Sequence, residues 1–144
     1  MWHELLNQGD IATLMDIFGG FHDSCIKELK YVSGAFVNPD LSMHPINSER
    51  TVKIIFQRQY KAPVAIEIEF IGLIKLSLVP ENEMFTCELH GVSIFIDNDK
   101  IYWYDSDFIN APAENYDSNW ICADKIRWRI TDEYIGNREI YKST

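Results

Sequence analysis

The sequence is short of the groups that most often announce chemistry. Its three cysteines, Cys25, Cys87 and Cys122, lie far apart and form no C-x-x-C pair. An odd, scattered set fits reduced, packed thiols rather than a disulfide framework. The four histidines never fall as H-x-x-x-H, and none stands beside a cysteine pair at zinc-ligand spacing, so no metal centre is expected. Aspartates recur as "DND" and "DSD", but an EF-hand reading puts Phe108 or Tyr116 where a bidentate glutamate must stand. There is no G-x-S-x-G, no P-loop and no G-x-G-x-x-G. No catalytic residue and no cofactor are therefore expected.

Positive charge is scarce as well. Thirteen Lys and Arg against 22 Asp and Glu leave a formal charge of −9. Binding phosphates needs a positive field, so nucleic acid is not an expected partner. No apolar run approaches the ~18 residues of a membrane span, and "MWHELLNQGD" lacks the basic and apolar regions of a signal peptide. The expectation is a cytoplasmic protein without a membrane partner.

What is present is core-forming material. An apolar fraction of 47% with 13% aromatics argues against disorder, and 144 residues are most simply one domain spanning 1–144. "GDIATLMDIFGG" reads as a helix: Asp10 is the expected N-cap, Ile11, Leu14, Met15 and Phe18 share a face, and Gly19-Gly20 end it. "WHELL" before it is expected to add a helical turn.

From residue 24 the apolar period becomes two. "CIKELKYV" is a first strand, and "TVKIIFQ" with "VAIEIEF" forms a hairpin setting Val52 opposite Ile68, Ile54 opposite Ile66 and Phe56 opposite Val64. That register faces Lys53 with Glu67 on the outer, solvent side. The strand continues past a bend at Gly72, turns at "PENE" and returns as "MFTCEL", with a β-bulge at His90-Gly91. "SIFIDNDKIYWY" is a further hairpin with Asn98-Asp99 as a turn of positive φ. "DSDFINAPAENYDSN" is a polar loop, and "WICADKIRWRI" a last long strand with Trp120, Cys122, Ile126, Trp128 and Ile130 on one face. "TDEYIGNREIY" is read as strand. The fold class is α+β, mostly β: an N-terminal helix on a strongly curved antiparallel meander, a partial barrel or a sandwich.

Two clusters compete as sites. His22, Asp23 and Cys25 resemble a thiol nucleophile with its base, but Cys25 follows a helix C-terminus, where the dipole disfavours a thiolate. Their reading is structural. The second cluster is acidic and aromatic. Residues 97–117 hold six carboxylates (Asp97, Asp99, Asp105, Asp107, Glu114, Asp117) against Lys100 alone, beside the consecutive rings Tyr102, Trp103 and Tyr104. Aromatic anchors ringed by charge are what protein interfaces use. Asp97, Asp99, Tyr102, Tyr104, Asp105, Asp107, Glu114 and Asp117 are the candidate contacts for a basic protein.

The stretch "IFGGFHDSCIKELKYV" (17–32), followed by "VAIEIEFIGLIKLSLV" (64–79), resembles small bacterial immunity-protein-like domains that open with a short helix and an "FHD" turn before long antiparallel strands. The resemblance covers about the first half of the chain. It implies a non-enzymatic cytoplasmic binder that blocks a cognate toxin, here a cationic one. The rival expectation is a ligand-binding β-barrel whose apolar cavity is lined by Trp103, Trp120 and Trp128.

Overall fold

A computed structural model describes residues 1–142. Among them the chain runs through β1 (His3–Glu4), α1 (Gln8–Ile17), β2 (Ser24–Val32), β3 (Phe36–Val37), β4 (Met43–His44), β5 (Thr51–Arg58), β6 (Ala65–Ser77), β7 (Ser93–Asp97), β8 (Lys100–Tyr104) and β9 (Trp120–Ile130). A seven-stranded antiparallel sheet has the order β2-β5-β6-β9-β8-β7, with β1 pairing the far end of β9. β3 and β4 form a separate two-stranded ribbon. The sheet does not close into a barrel. Its two edges approach only where Leu89, ahead of β7, bridges Ser24 at the start of β2.

α1 starts before the expected cap. Asn7 is the N-cap: its side-chain oxygen accepts the Asp10 N–H at 2.9 Å, while the Asp10 carboxylate reaches back to the Leu6 N–H at 2.9 Å. This reciprocal arrangement needs an acceptor at both positions, which Asn7 and Asp10 provide. "WHELL" forms no helical turn; His3 and Glu4 pair with Trp128 and Arg127. At the other end, Gly19 and Gly20 take φ of +58° and +63° and stop the helix. Arg58 closes it off from β5, donating to the Ile17 carbonyl at 3.0 Å with its guanidinium 4.9 Å from the Phe18 ring centroid. A cation thus sits at the negative end of the helix.

The "FHD" junction plants an aromatic in the core. Phe21 is fully buried and meets the rings of Phe18 and Phe56 edge-on, each at 5.1 Å, with Trp103 at 6.4 Å. The Ser24 hydroxyl donates to the Phe21 carbonyl at 2.6 Å and fixes the turn. Ile11, Leu14 and Phe18 of the helical segment cover the same sheet face as Val52, Ile54, Phe56, Ile66, Ile68 and Phe70.

The β5–β6 hairpin forms with the expected faces but a register two residues further along. Ile54 pairs Ile68, Phe56 pairs Ile66, and Lys53 meets Glu69, not Glu67. A shift of two preserves the in–out alternation, so the apolar pattern could not separate the two registers. The "MFTCEL" strand does not form. Beyond Gly72, β6 pairs with β9 instead, Leu73 opposite Ala123 and Ser77 opposite Trp120, and residues 78–92 are loop apart from the Leu89 bridge. No bulge stands at His90-Gly91, because no ladder runs through it; the register shifts lie between Ile26 and Glu28 in β2 and between Leu73 and Lys75 in β6.

Gly72 has φ +68°, and a Cβ there would stand 2.4 Å from the Asp124 carboxylate. Across this point β9 changes face. Ile126 and Trp128 point to the helix, and so do Ile121 and Ala123, leaving Trp120 and Cys122 on the opposite side. The expected single face for Trp120 through Ile130 is therefore corrected, and Ile130 is half-exposed.

The outer face is not a solvated one either. Glu67 and Glu69 are 2% and 6% exposed. Arg129 donates to Glu67 at 2.9 Å and Arg127 to Glu69 at 3.0 Å, and the Trp2 ring centroid lies 4.7 Å from the Arg129 guanidinium carbon and 4.4 Å from that of Arg127. Buried carboxylates require such partners. "TDEYIGNREIY" forms no strand; after a 3₁₀ turn at Asp132–Tyr134 it crosses this face as a strap. The Tyr141 hydroxyl donates to Glu67, and the N–H groups of Ile140 and Tyr141 donate to Glu28 at 2.8 Å and 3.0 Å.

Gly72→Ala is expected to cost about 1–3 kcal/mol, because the new residue must hold a positive φ against the Asp124 carboxylate; chemical denaturation measures it. The strap should respond to acid. Burial pushes the Glu28 carboxyl up, but Lys27 at 2.8 Å and the two strap N–H groups outweigh it and lower it below its ordinary 4.5. A depressed folded-state pKa adds stability that is complete above the ordinary value and lost as pH falls through the folded one. The Ile140 and Tyr141 amide resonances should move together in an NMR titration with a midpoint below 4.5.

Candidate functional site

The thiol cluster resolves into structure. His22 Nδ1 lies 3.2 Å from the Asp23 carboxylate on an exposed turn, whereas Cys25 lies in β2 opposite Gln57. Burial raises the Cys25 thiol, with Cys87 adding to the rise, the opposite of what a nucleophile requires. Among the described residues no group of His, Cys, Asp and Glu is arranged to hold a metal ion.

The acidic segment is built on an aromatic floor. On the outer face, Phe95 stacks on Tyr102 at 5.2 Å and Tyr104 on Trp120 at 5.3 Å, with Tyr116 edge-on to Tyr104 at 5.4 Å. The loop 105–119 folds down over these rings. Tyr104 is fully buried, and its hydroxyl accepts the Ala113 N–H at 2.8 Å. Tyr102 is half-buried, and burial, then a hydrogen bond with Cys122, pushes its phenol up to about 12. The three tryptophans named for a ligand cavity are packed instead: Trp103 and Trp128 belong to the helix-side core and Trp120 to this outer cluster.

Asp105 closes the loop at its base. Its carboxylate accepts from the hydroxyls of Tyr116 and Ser118, and from both the backbone and side-chain N–H groups of Asn119 at 3.0 Å. Asn119 then reaches the neighbouring loop, its side-chain oxygen accepting the Val79 N–H at 2.6 Å. Ser77 donates to the Ser118 carbonyl at 3.0 Å. At the other side, Gly91 approaches Asp107 so closely that a Cβ would stand 3.0 Å from the Asp107 Cβ. The loops 78–91 and 105–119 are thus stitched along their bases, and a groove of about 740 Å³ opens between them.

The eight candidate contacts divide accordingly. Tyr104 is fully buried, which corrects its expected place at an interface, while Asp105 is half-buried with its carboxylate engaged in the clamp. Asp97, Asp99, Asp107, Glu114 and Asp117 are exposed. Asp97 and Asp99 flank the β7–β8 turn, where Asn98 and Asp99 take φ of +51° and +65° as expected. Asp107 and Asp117 lie at the opposite end of β8; burial raises Cys122 and Tyr104, and the Glu114 charge adds a smaller rise to each. The carboxylates are spread from the β7–β8 turn to the loop beyond the other end of β8, a band rather than one cluster.

The groove wall at 78–91 is absent from the sequence-based candidates because that stretch alternates well enough to pass as a returning strand. "PENE" carried the contrary signal: Asn82 forms a side-chain turn, accepting the Met84 N–H at 2.9 Å, and Pro80 cannot donate to a ladder.

Asp105→Ala should strip four donors of their acceptor and cost about 1–3 kcal/mol, since unsatisfied part-buried donors carry that penalty. The Asn119 amide should also lose its protection in hydrogen exchange, and a variant with native stability and native exchange would contradict the clamp. No family model, curated protein or solved structure matches this chain.

Proposed function

We propose that this chain is a non-enzymatic protein-binding domain, acting in the manner of an immunity protein, that captures a basic partner protein on the acidic band along β8. The observation that carries the reading is the internal bracing of that band. Tyr104, Asp105 and Asn119 hold the loop, leaving Asp107, Glu114 and Asp117 displayed on a fixed frame. A preorganised loop avoids much of the ordering cost of association. Unpaired carboxylates of one sign steer a cationic partner and disfavour acidic ones. Among the described residues no helix is long and apolar enough to cross a membrane, which agrees with a partner met away from the lipid.

The test neutralises the band without touching its braces. The variant Asp97→Asn, Asp99→Asn, Glu114→Gln and Asp117→Asn should fold normally yet lose a basic protein from pull-downs made in native-cell extract. The wild-type capture should weaken by about tenfold or more on going from low to moderate salt, as screened charge pairs do. Equal capture by the neutralised variant would overturn the reading.

A further inference from the structure

The groove between the loops 78–91 and 105–119 goes beyond the acidic band. Its volume of about 740 Å³ lies within the ~300–1,000 Å³ of sites that enclose a small molecule or a short piece of chain. Two kinds of lining side chain bear on the occupant. Glu81, Glu83, Glu88, Asp105 and Asp107 contribute carboxylates, His90 is the one lining side chain among the described residues that can carry a positive charge, and no lysine or arginine lines the groove. Between them stand large apolar side chains that the fold leaves uncovered, Phe85 at 70% exposed and Phe108 at 87%.

These features select an occupant. A neutral apolar molecule would leave the carboxylates without partners, and an acidic segment would be repelled. A chain bearing cations alone would leave Phe85 and Phe108 in water. An extended segment with basic side chains interleaved by large apolar ones satisfies both, since its alternate side chains reach opposite walls and each wall carries both carboxylates and an exposed aromatic ring. The groove is also braced before anything binds. Asn119 ties its floor to both loops, and Gly91 lies against Asp107 with no room for a side chain.

We infer that this groove is the anchoring centre of the partner interface and takes an extended segment of the partner in which arginine or lysine alternates with large apolar residues. The inference rests on the proposed capture of a basic protein and adds the place and the chemistry of its anchor. Phe108 is the apolar anchor of one wall, and Glu83 and Glu88 receive cations on the other.

The test uses short synthetic peptides added to the ¹⁵N-labelled full chain: one alternating arginine and leucine, its glutamate–leucine counterpart, and an all-arginine peptide. The arginine–leucine peptide should bind best, with amide shifts concentrated in 78–91 and 105–109. Phe108→Ala and the double variant Glu83→Gln, Glu88→Gln should each weaken it by about tenfold while keeping native spectra, as loss of an interface anchor does. All three residues are exposed, so folding is not at stake. Equal binding of the glutamate–leucine peptide, unchanged affinity in both variants, or no binding would overturn the inference. Shifts confined to Asp97, Asp99, Glu114 and Asp117 would overturn the groove assignment while leaving capture by the acidic band intact.

Discussion

The close approach of Gly72 to Asp124 is the constraint from which the rest of the architecture follows. A residue with a side chain cannot stand opposite Asp124 at φ +68° without displacing the carboxylate. With glycine there, β6 bends and β9 changes face part-way along its length. The half from Lys125 onward gives Ile126 and Trp128 to the helix-side core, while the half before Asp124 sends Trp120 and Cys122 to the other side. One strand thereby serves two hydrophobic clusters. The second is the floor on which the acidic loop rests, so the geometry of the proposed binding face is set by a backbone choice some thirty residues earlier in β6.

That floor makes a polar, highly charged loop compatible with a fixed conformation. Carboxylates crowded into fifteen residues repel one another, and an unsupported loop of this length would pay for order with entropy. Here the cost is met by stacked rings beneath and by Asp105, which gathers four hydrogen bonds at the loop base. The charge on this side is sorted by role. Asp105 faces inward and holds; Asp107, Glu114 and Asp117 face outward and remain available. A similar sorting appears elsewhere on the outer face, where Glu67 and Glu69 are neutralised by Arg129 and Arg127 and sealed by Trp2 and Tyr141. The paired region buries its carboxylates beneath part-exposed guanidinium groups, and the unpaired band is surface.

Much of the fold was legible because it follows from local rules. The helix, its glycine stop, the Asn98-Asp99 turn and the long strand through Gly72 each come from residues near in sequence. The errors came where distant segments compete. Residues 73–77 had two candidate neighbours of suitable alternation, the nearby 84–89 and the remote 120–123, and the remote one prevailed. Glu67 looked solvated because the strap that covers it follows more than sixty residues later. The acidic run was visible as composition, but which members were consumed internally was not. Tyr104 and Asp105 look like their exposed neighbours until the loop is folded over them.

The most direct test of the account is a crystal structure of the full chain with the alternating arginine–leucine peptide. The account predicts continuous peptide density in the groove, with guanidinium groups against Glu83 and Glu88, a leucine on Phe108, and the Asp105–Asn119 clamp unchanged. Peptide lying elsewhere on the surface, or a groove that has collapsed with its clamp broken, would contradict it.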